Sequence, residues 1–339
     1  MTQTIWPNQN EADFVIDDFR FASGETLPSL KLHYITIGSP VRDAAGEIVN
    51  AVLLLHNTSG ASQTWLGPSL GGELFGEGQP LDASRHFIII PDAIGFGGSS
   101  KPSDGLRARF PNYRYRDMVE AQHRLLTEGL GVHHLRLLLG ISMGGMHAWM
   151  WAGKYPGMMD AVVPVACQPT AISGRNWIFR RIVIEAIRND PGWNGGDYDG
   201  PLSYFARIAP LPFLMTESVN RIQEMAPDRE SADALYDQLA GRTGADASDQ
   251  LYAMEAIMDY DPSGDLEKIA ARVLAINFAD DTVNPPELGV VEAAIAKIVD
   301  ARLVTVPASA ETHGHYTNLR AAIWKDHLAE FMNTLPPRN

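Results

Sequence analysis

Hydrophobic and polar positions alternate in two stretches near the amino terminus, around Phe14-Val15-Ile16 and Leu30-Lys31-Leu32-His33-Tyr34-Ile35, with Ser23-Gly24 between them. A period of two, interrupted by a turn signal, predicts a β-hairpin over residues 13–37. The pattern then changes to short, continuous apolar runs at 51–56, 87–91, 135–139, 161–166, 273–278 and 303–306. Amphipathic helices fit 115–129, 143–155, 286–299 and 316–332. Apolar runs alternating with helices predict a mostly parallel α/β sheet covered on both faces. The alternation fails between about 170 and 262. Helical patterns occupy 177–189, 212–225, 231–239 and 250–259 there, and turn-rich pieces such as Pro191-Gly192-Trp193-Asn194-Gly195-Gly196 separate them. The expected organisation is an α/β core of residues 1–169 and 263–339, with 170–262 inserted as a helical lid over an active site.

Composition narrows the function classes. A chain of 339 residues can bury a large core. Its formal net charge of −14 opposes a nucleic-acid partner, which needs phosphate-neutralising Lys and Arg. The single cysteine, Cys167, excludes an internal disulfide, and its apolar surroundings predict an inert buried thiol. The amino terminus lacks a basic region followed by an apolar core, and no run reaches the length of a membrane span. A cytoplasmic enzyme without membrane contact is the expectation.

The chemistry begins at Gly140-Ile141-Ser142-Met143-Gly144-Gly145. It follows an apolar strand and opens an apolar helix, the context in which Gly-x-Ser-x-Gly reads as a nucleophile elbow. A second copy, Gly67-Pro68-Ser69-Leu70-Gly71, has no strand before it and reads as a loop. Serine needs a base, itself oriented by a third group, and the acid and then the histidine are sought downstream. After the 273–278 strand come Asp280 and Asp281, and Asp281 is favoured because it stands four residues before Pro285. After the last strand come His313 and His315; Gly314 frees the chain to aim His315, which is favoured. The expected oxyanion donors are the backbone N–H of Met143 and that of Thr58, in the loop after the 51–56 strand. The loop Asp92-Ala93-Ile94-Gly95-Phe96-Gly97-Gly98-Ser99 lacks the third glycine and the helix of a dinucleotide site, and reads as a tight turn. Five tryptophans (Trp65, Trp149, Trp151, Trp177 and Trp193) read as core or lid packing. No metal or organic cofactor is required.

With these residues the chain resembles the α/β-hydrolase-fold proteins of the homoserine O-acetyltransferase group and their esterase relatives. The likeness covers nearly the whole chain. It is most specific in Tyr115-Arg116-Asp117-Met118-Val119-Glu120-Ala121-Gln122, the Ser142 motif with Met146, residues 189–196, residues 281–286 and Gly314-His315. It implies an α/β-hydrolase fold with nucleophile, acid and base on Ser142, Asp281 and His315, a helical lid at 170–262, and a homodimer formed through the lid. Two departures separate this chain from the acetyltransferases. Their Gly-Gly-Cys…Thr-Gly-Pro stretch corresponds to residues 94–102 here. The lid arginine that holds the homoserine carboxylate in them corresponds to Ile184, with Arg180 and Arg181 about one turn away. The resulting expectation is a carboxylic ester hydrolase acting on small, short-acyl esters through an acyl-enzyme. The alternative is acyl transfer from acetyl-CoA to a hydroxylated acceptor. A third reading is a binding protein with an idle triad.

Overall fold

The computed structural model describes residues 6–241 and 246–337. Its strands are β1 (Asn10–Arg20), β2 (Thr26–Ile37), β3 (Ala51–Leu55), β4 (Phe87–Pro91), β5 (Leu137–Ile141), β6 (Ala161–Val165), β7 (Arg272–Phe278) and β8 (Ala301–Val306). They form one eight-stranded sheet in the order β1-β2-β4-β3-β5-β6-β7-β8. β1 pairs antiparallel with β2, setting Phe14 opposite Leu32 and Ile16 opposite Leu30, and β2 pairs antiparallel with β4. The other pairings are parallel.

The chain leaves β3 for β4 on one side and returns to β5 on the other. The strand order therefore reverses at β3, and a crevice opens beyond the carboxyl ends of β3 and β5. The loop holding Thr58 follows one of these strands, and Ser142 follows the other.

Burial explains why the central strands read as continuous apolar runs. Every residue of β3, β4, β5 and β6 is buried. Alternate side chains serve opposite layers: Leu53, Ile89, Leu138 and Val162 pack into one core, and Leu54, Ile88, Leu139 and Val163 into the other. The short helix α1 (Gly71–Leu74) lies in the second layer. Helices α2 (Tyr115–Arg124) and α3 (Met143–Lys154) cover the first, where Trp149 and Trp151 are wholly buried.

Between β6 and β7 the chain runs through α4 (Gly174–Arg188), α5 (Ser203–Arg207), α6 (Leu211–Thr216), α7 (Val219–Met225), α8 (Arg229–Ala240) and α9 (Ala247–Glu255). This insertion has its own apolar cluster, in which Val183, Ile184, Ile187, Trp193, Leu251 and Met254 meet. The chain ends with α10 (Val290–Ile295) and α11 (Ala321–Asn333), and Trp324, Leu328 and Phe331 of α11 pack into the second layer. Among the described residues no helix is long and apolar enough to cross a membrane.

Several boundaries differ from the sequence expectations for local reasons. The 135–139 strand is shifted to Leu137–Ile141, because Leu135 makes only an isolated bridge to Met159. The helix expected over 212–225 is two helices. Glu217 is extended there, and Ser218 caps the second helix by accepting from the Arg221 N–H at 3.3 Å. The helix expected over 286–299 begins as a single 3-10 turn, stops at left-handed Gly289 and restarts as the short α10. The helix expected to start at Tyr316 is a 3-10 segment, Gly314–Leu319, and α11 begins only after Arg320. α2 ends at Arg124 and continues as a π turn to Gly129. No run of apolar residues announced α5.

Candidate active site

A single residue, Ser142, lies between the end of β5 and the first turn of α3. Its backbone is held at φ 53° and ψ −113°, a region that costs a non-glycine residue about 1–3 kcal/mol. The surroundings fix it there. The Ser142 N–H donates to Val165 O at 2.8 Å, and the Gly144 N–H donates to His56 O at 3.0 Å.

The flanking glycines are required by space. A Cβ on Gly140 would lie 2.0 Å from Gly144 O, and one on Gly144 would lie 2.2 Å from Leu55 O. A Cβ on Gly145 would lie 2.7 Å from Cys167 Sγ. Gly144→Ala drives a methyl into the β3 backbone, which has no room to yield. A loss of about 2–3 kcal/mol is expected from such overpacking, measured as a lower urea midpoint with an unchanged m-value. Ser69, in the other copy of the motif, lies in an exposed turn before α1.

The acid and the base come from the next two strand ends. β7 stops at Phe278, and Asp281 is buried beneath the following turn. Its Oδ1 accepts from the Val283 N–H at 2.8 Å and the Asn284 N–H at 3.1 Å. Its Oδ2 accepts from His315 Nδ1–H at 2.8 Å and Asn284 Nδ2–H at 3.3 Å. Burial pushes the Asp281 carboxyl up, but the His315 imidazole and these donors more than offset it, so its pKa lies below the ordinary carboxylate value. An ionised carboxylate only accepts. The His315 proton is therefore on Nδ1, which leaves Nε2 as the lone-pair side. Nε2 lies 2.8 Å from Ser142 Oγ and can accept its proton.

The structure thus brings Ser142, His315 and Asp281 into one continuous hydrogen-bonded chain. The competing candidates are engaged elsewhere. Asp280 binds Thr312 and Gly314, and His313 faces Glu217 at 3.3 Å.

Ser142 and His315 open into a cavity of about 310 Å³ roofed by the insertion. Its lining includes Thr58 from the loop after β3 and apolar side chains such as Phe179, Val183, Phe213 and Met215. Met143 N–H belongs to the first turn of α3, so it has no intrahelical acceptor and is free to donate toward the cavity end of the elbow.

Arg180 also lines this cavity. It is 5% exposed, its Nε–H donates to Asn176 Oδ1 at 3.2 Å, and among the described residues it forms no ion pair with a carboxylate within 4.0 Å. Ile184, one turn on, turns away from the cavity into the insertion's own cluster. Arg181 is paired with Glu185 on the helix surface.

The remaining buried groups are held neutral or locked in place. Burial pushes His147 down to about 3, and its Nδ1 lies 3.4 Å from Gln122 Nε2. His56 is lowered by burial; its Nε2 accepts from the Ala93 N–H at 3.0 Å. Burial raises the Cys167 thiol, which keeps it protonated. The glycine-rich turn after β4 closes on its own Asp92, which accepts from the Gly98 N–H at 2.7 Å, and a Cβ on Gly97 would lie 2.0 Å from Asp92 Oδ2. Among the described residues no cluster of His, Cys, Asp or Glu is grouped to hold a metal ion.

Sequence reasoning missed Asn284, whose Nδ2–H also donates to Ala166 O at 2.9 Å and ties the acid turn to the end of β6. An Asn three residues after a buried Asp, before Pro285-Pro286, was the available signal. It also missed the engagement of Asp280 and the docking of the α6–α7 turn, where Thr282 Oγ1–H donates to Met215 O at 3.0 Å.

The family model for the alpha/beta hydrolase fold matches residues 50–294, and the chain belongs to that family. A probable acyltransferase of Methanothermobacter thermautotrophicus is 31% identical over 280 residues, covering 81% of this chain and 84% of that protein. A homoserine O-acetyltransferase of Thermobifida fusca is 33% identical over 257 residues, covering 70% of this chain and 64% of its own length. Among solved structures, homoserine O-acetyltransferase from Bacillus anthracis superposes with a TM-score of 0.84 at 21% identity, covering 98% of this chain and 99% of that one. The acetyl esterase MekB superposes with a TM-score of 0.81 at 25% identity, covering 96% of this chain and 97% of that one. The relatives thus include both acyl-transferring and ester-hydrolysing proteins.

Proposed function

We propose that this chain is a serine-dependent carboxylic ester hydrolase acting on small, short-acyl esters through an acyl-enzyme. The observation that carries the reading is the unbroken relay from Ser142 Oγ through His315 to the buried, ionised Asp281 at the mouth of a partly apolar cavity. His315 Nε2 takes the Ser142 proton as Oγ attacks the ester carbonyl. The amides of Met143 and Thr58 receive the developing oxyanion. His315 then protonates the departing alkoxide, and the alcohol leaves. Water enters, gives its proton to His315, attacks the acyl carbonyl, and the acid departs as Ser142 regains its proton. Asp281 holds the imidazole in the required tautomer throughout.

A cavity of about 310 Å³ lies at the small end of the roughly 300–1,000 Å³ range of ligand pockets, which favours a small ester over a long acyl chain. The experiment is a panel of p-nitrophenyl esters of rising acyl length, run with and without acceptor alcohols. Free acid as the product, independent of acceptor, is expected; product that appears only as transferred ester refutes hydrolysis. Stoichiometric labelling of Ser142 by a fluorophosphonate is expected in the same preparation, and its absence would leave an idle triad.

Acyl transfer to a hydroxylated acceptor is the second reading, and Arg180 favours it. A buried guanidinium facing the cavity, without a carboxylate partner among the described residues, suits a substrate that supplies its own carboxylate. Arg180→Met is expected to lower the kcat/KM ratio for a carboxylate-bearing ester over a neutral ester of equal size by about 10²-fold, the worth of a charge-assisted contact. An unchanged ratio would mean that Arg180 only organises Asn176 and the α4 face.

A further inference from the structure

The loop that delivers His315 is long and mostly exposed, with residues 307–311 in solvent. Relay chemistry tolerates little play there, since displacing a reacting group by about 1 Å costs roughly 10²-fold in rate. The loop needs fasteners, and those supplied from outside it come from different parts of the fold. Glu217, in the turn between α6 and α7, faces His313. Another fastener is Asp280, in the turn after β7.

The Asp280 Oδ2 accepts from Thr312 Oγ1–H at 2.8 Å and from the Gly314 N–H at 3.1 Å. Thr312 is buried, and Gly314 is left-handed at φ 56° with Thr216 O 2.9 Å from where a Cβ would lie. The grip therefore falls on the two residues around His313, immediately before the base.

We infer that Asp280 is a positioning residue: it holds the backbone that carries His315, while its neighbour Asp281 holds the imidazole. The two carboxylates leave one strand end and fix the same histidine at two levels. The inference rests on the reading of Ser142, His315 and Asp281 as the catalytic relay. The bound geometry uses Oδ2 as a double acceptor, and among the described residues Oδ1 is buried without a donor. An asparagine can thus reproduce the grip through its Oδ1.

The test compares Asp280→Ala with Asp280→Asn in the full-length protein, using p-nitrophenyl acetate. Asp280→Ala is expected to lower kcat by about 10²-fold with KM within a factor of about two, and Asp280→Asn to recover most of that loss. Asp280→Ala with unchanged kcat overturns the inference. So does a change confined to KM, or an Asp280→Asn variant as impaired as the alanine. Should Asp280→Ala fail to fold, Thr312→Val removes one of the two donors together with the acceptor that the Ser309 N–H meets at 3.0 Å, and Thr312→Ser, which keeps both, is the control that must retain wild-type kcat. A kcat loss of about tenfold at constant KM then supports the inference, and an unchanged kcat overturns it. The underlying reading fails separately: wild-type protein that does not take a fluorophosphonate on Ser142, with turnover surviving in Ser142→Ala, sinks the relay and not just this fastening.

Discussion

Ser142→Ala is expected to lower kcat for a short-acyl ester by about 10⁵-fold or more, with the fold intact. The alanine removes only the attacking oxygen. The contacts that shape the elbow are backbone contacts: the bond from residue 142 N–H to Val165 O, the bond from Gly144 N–H to His56 O, and the packing of Gly144 on Leu55. All of these survive. The left-handed φ of 53° is as costly for alanine as for serine, so little stability is gained by relief. A residual rate about 10³–10⁴ above that in water is expected from the proposed oxyanion donors and the cavity alone. Steady-state kinetics together with a thermal melt check this. A correctly folded Ser142→Ala protein that keeps a tenth of the activity would remove Ser142 from the chemistry.

Asp281→Asn should cost about 10⁴-fold in kcat, the loss seen when a triad acid becomes an amide, and the geometry explains why. Asp281 Oδ1 faces the N–H groups of Val283 and Asn284. An asparagine must keep its oxygen there, because its NH₂ would otherwise meet two donors. The NH₂ is then forced toward His315 Nδ1, which can accept only by giving up its proton. The proton moves to Nε2, and the imidazole presents Ser142 with a donor where an acceptor is needed. Proton NMR of the histidine ring should report the altered tautomer. Retained activity with Nδ1 still protonated would contradict this account.

The same substitution has a stability signature. The Asp281 pKa is depressed in the folded chain. Its contribution is therefore present above the unfolded carboxyl value, about 3.9, and is lost as pH falls through the lower folded value. Thermal stability of the wild type should drop more steeply than that of Asp281→Asn on acidification below about pH 4. Parallel curves would show that Asp281 is not stabilised by its partners.

Much of this was legible in the sequence because it depends on local pattern. The hairpin, the buried strands and α3 follow from hydrophobic period and length, with strand ends displaced by two or three residues at β1, β5 and β8. Where the reading failed, a short-range signal was outvoted. The run 212–225 is apolar enough for one helix, yet Ser218 begins a new one, and the break lets the turn dock on the acid and histidine loops. Capping chemistry was visible at Ser218, but the reason for stopping lay across the fold.

The sequence by itself determined the layered α/β architecture, the glycine-walled elbow and a short set of titratable residues at strand ends, because strand period and turn sterics act between near neighbours. Only the tertiary structure shows that Asp281 rather than Asp280 meets an imidazole, and that His315 rather than His313 meets Ser142. Adjacent residues leaving one strand end differ in direction by their local turn, and which partner each meets depends on segments far away in the chain. The same holds for Arg180 and Ile184. One helical turn separates them in sequence, and the packing of α4 alone turns the guanidinium to the cavity and the isoleucine to the insertion's core.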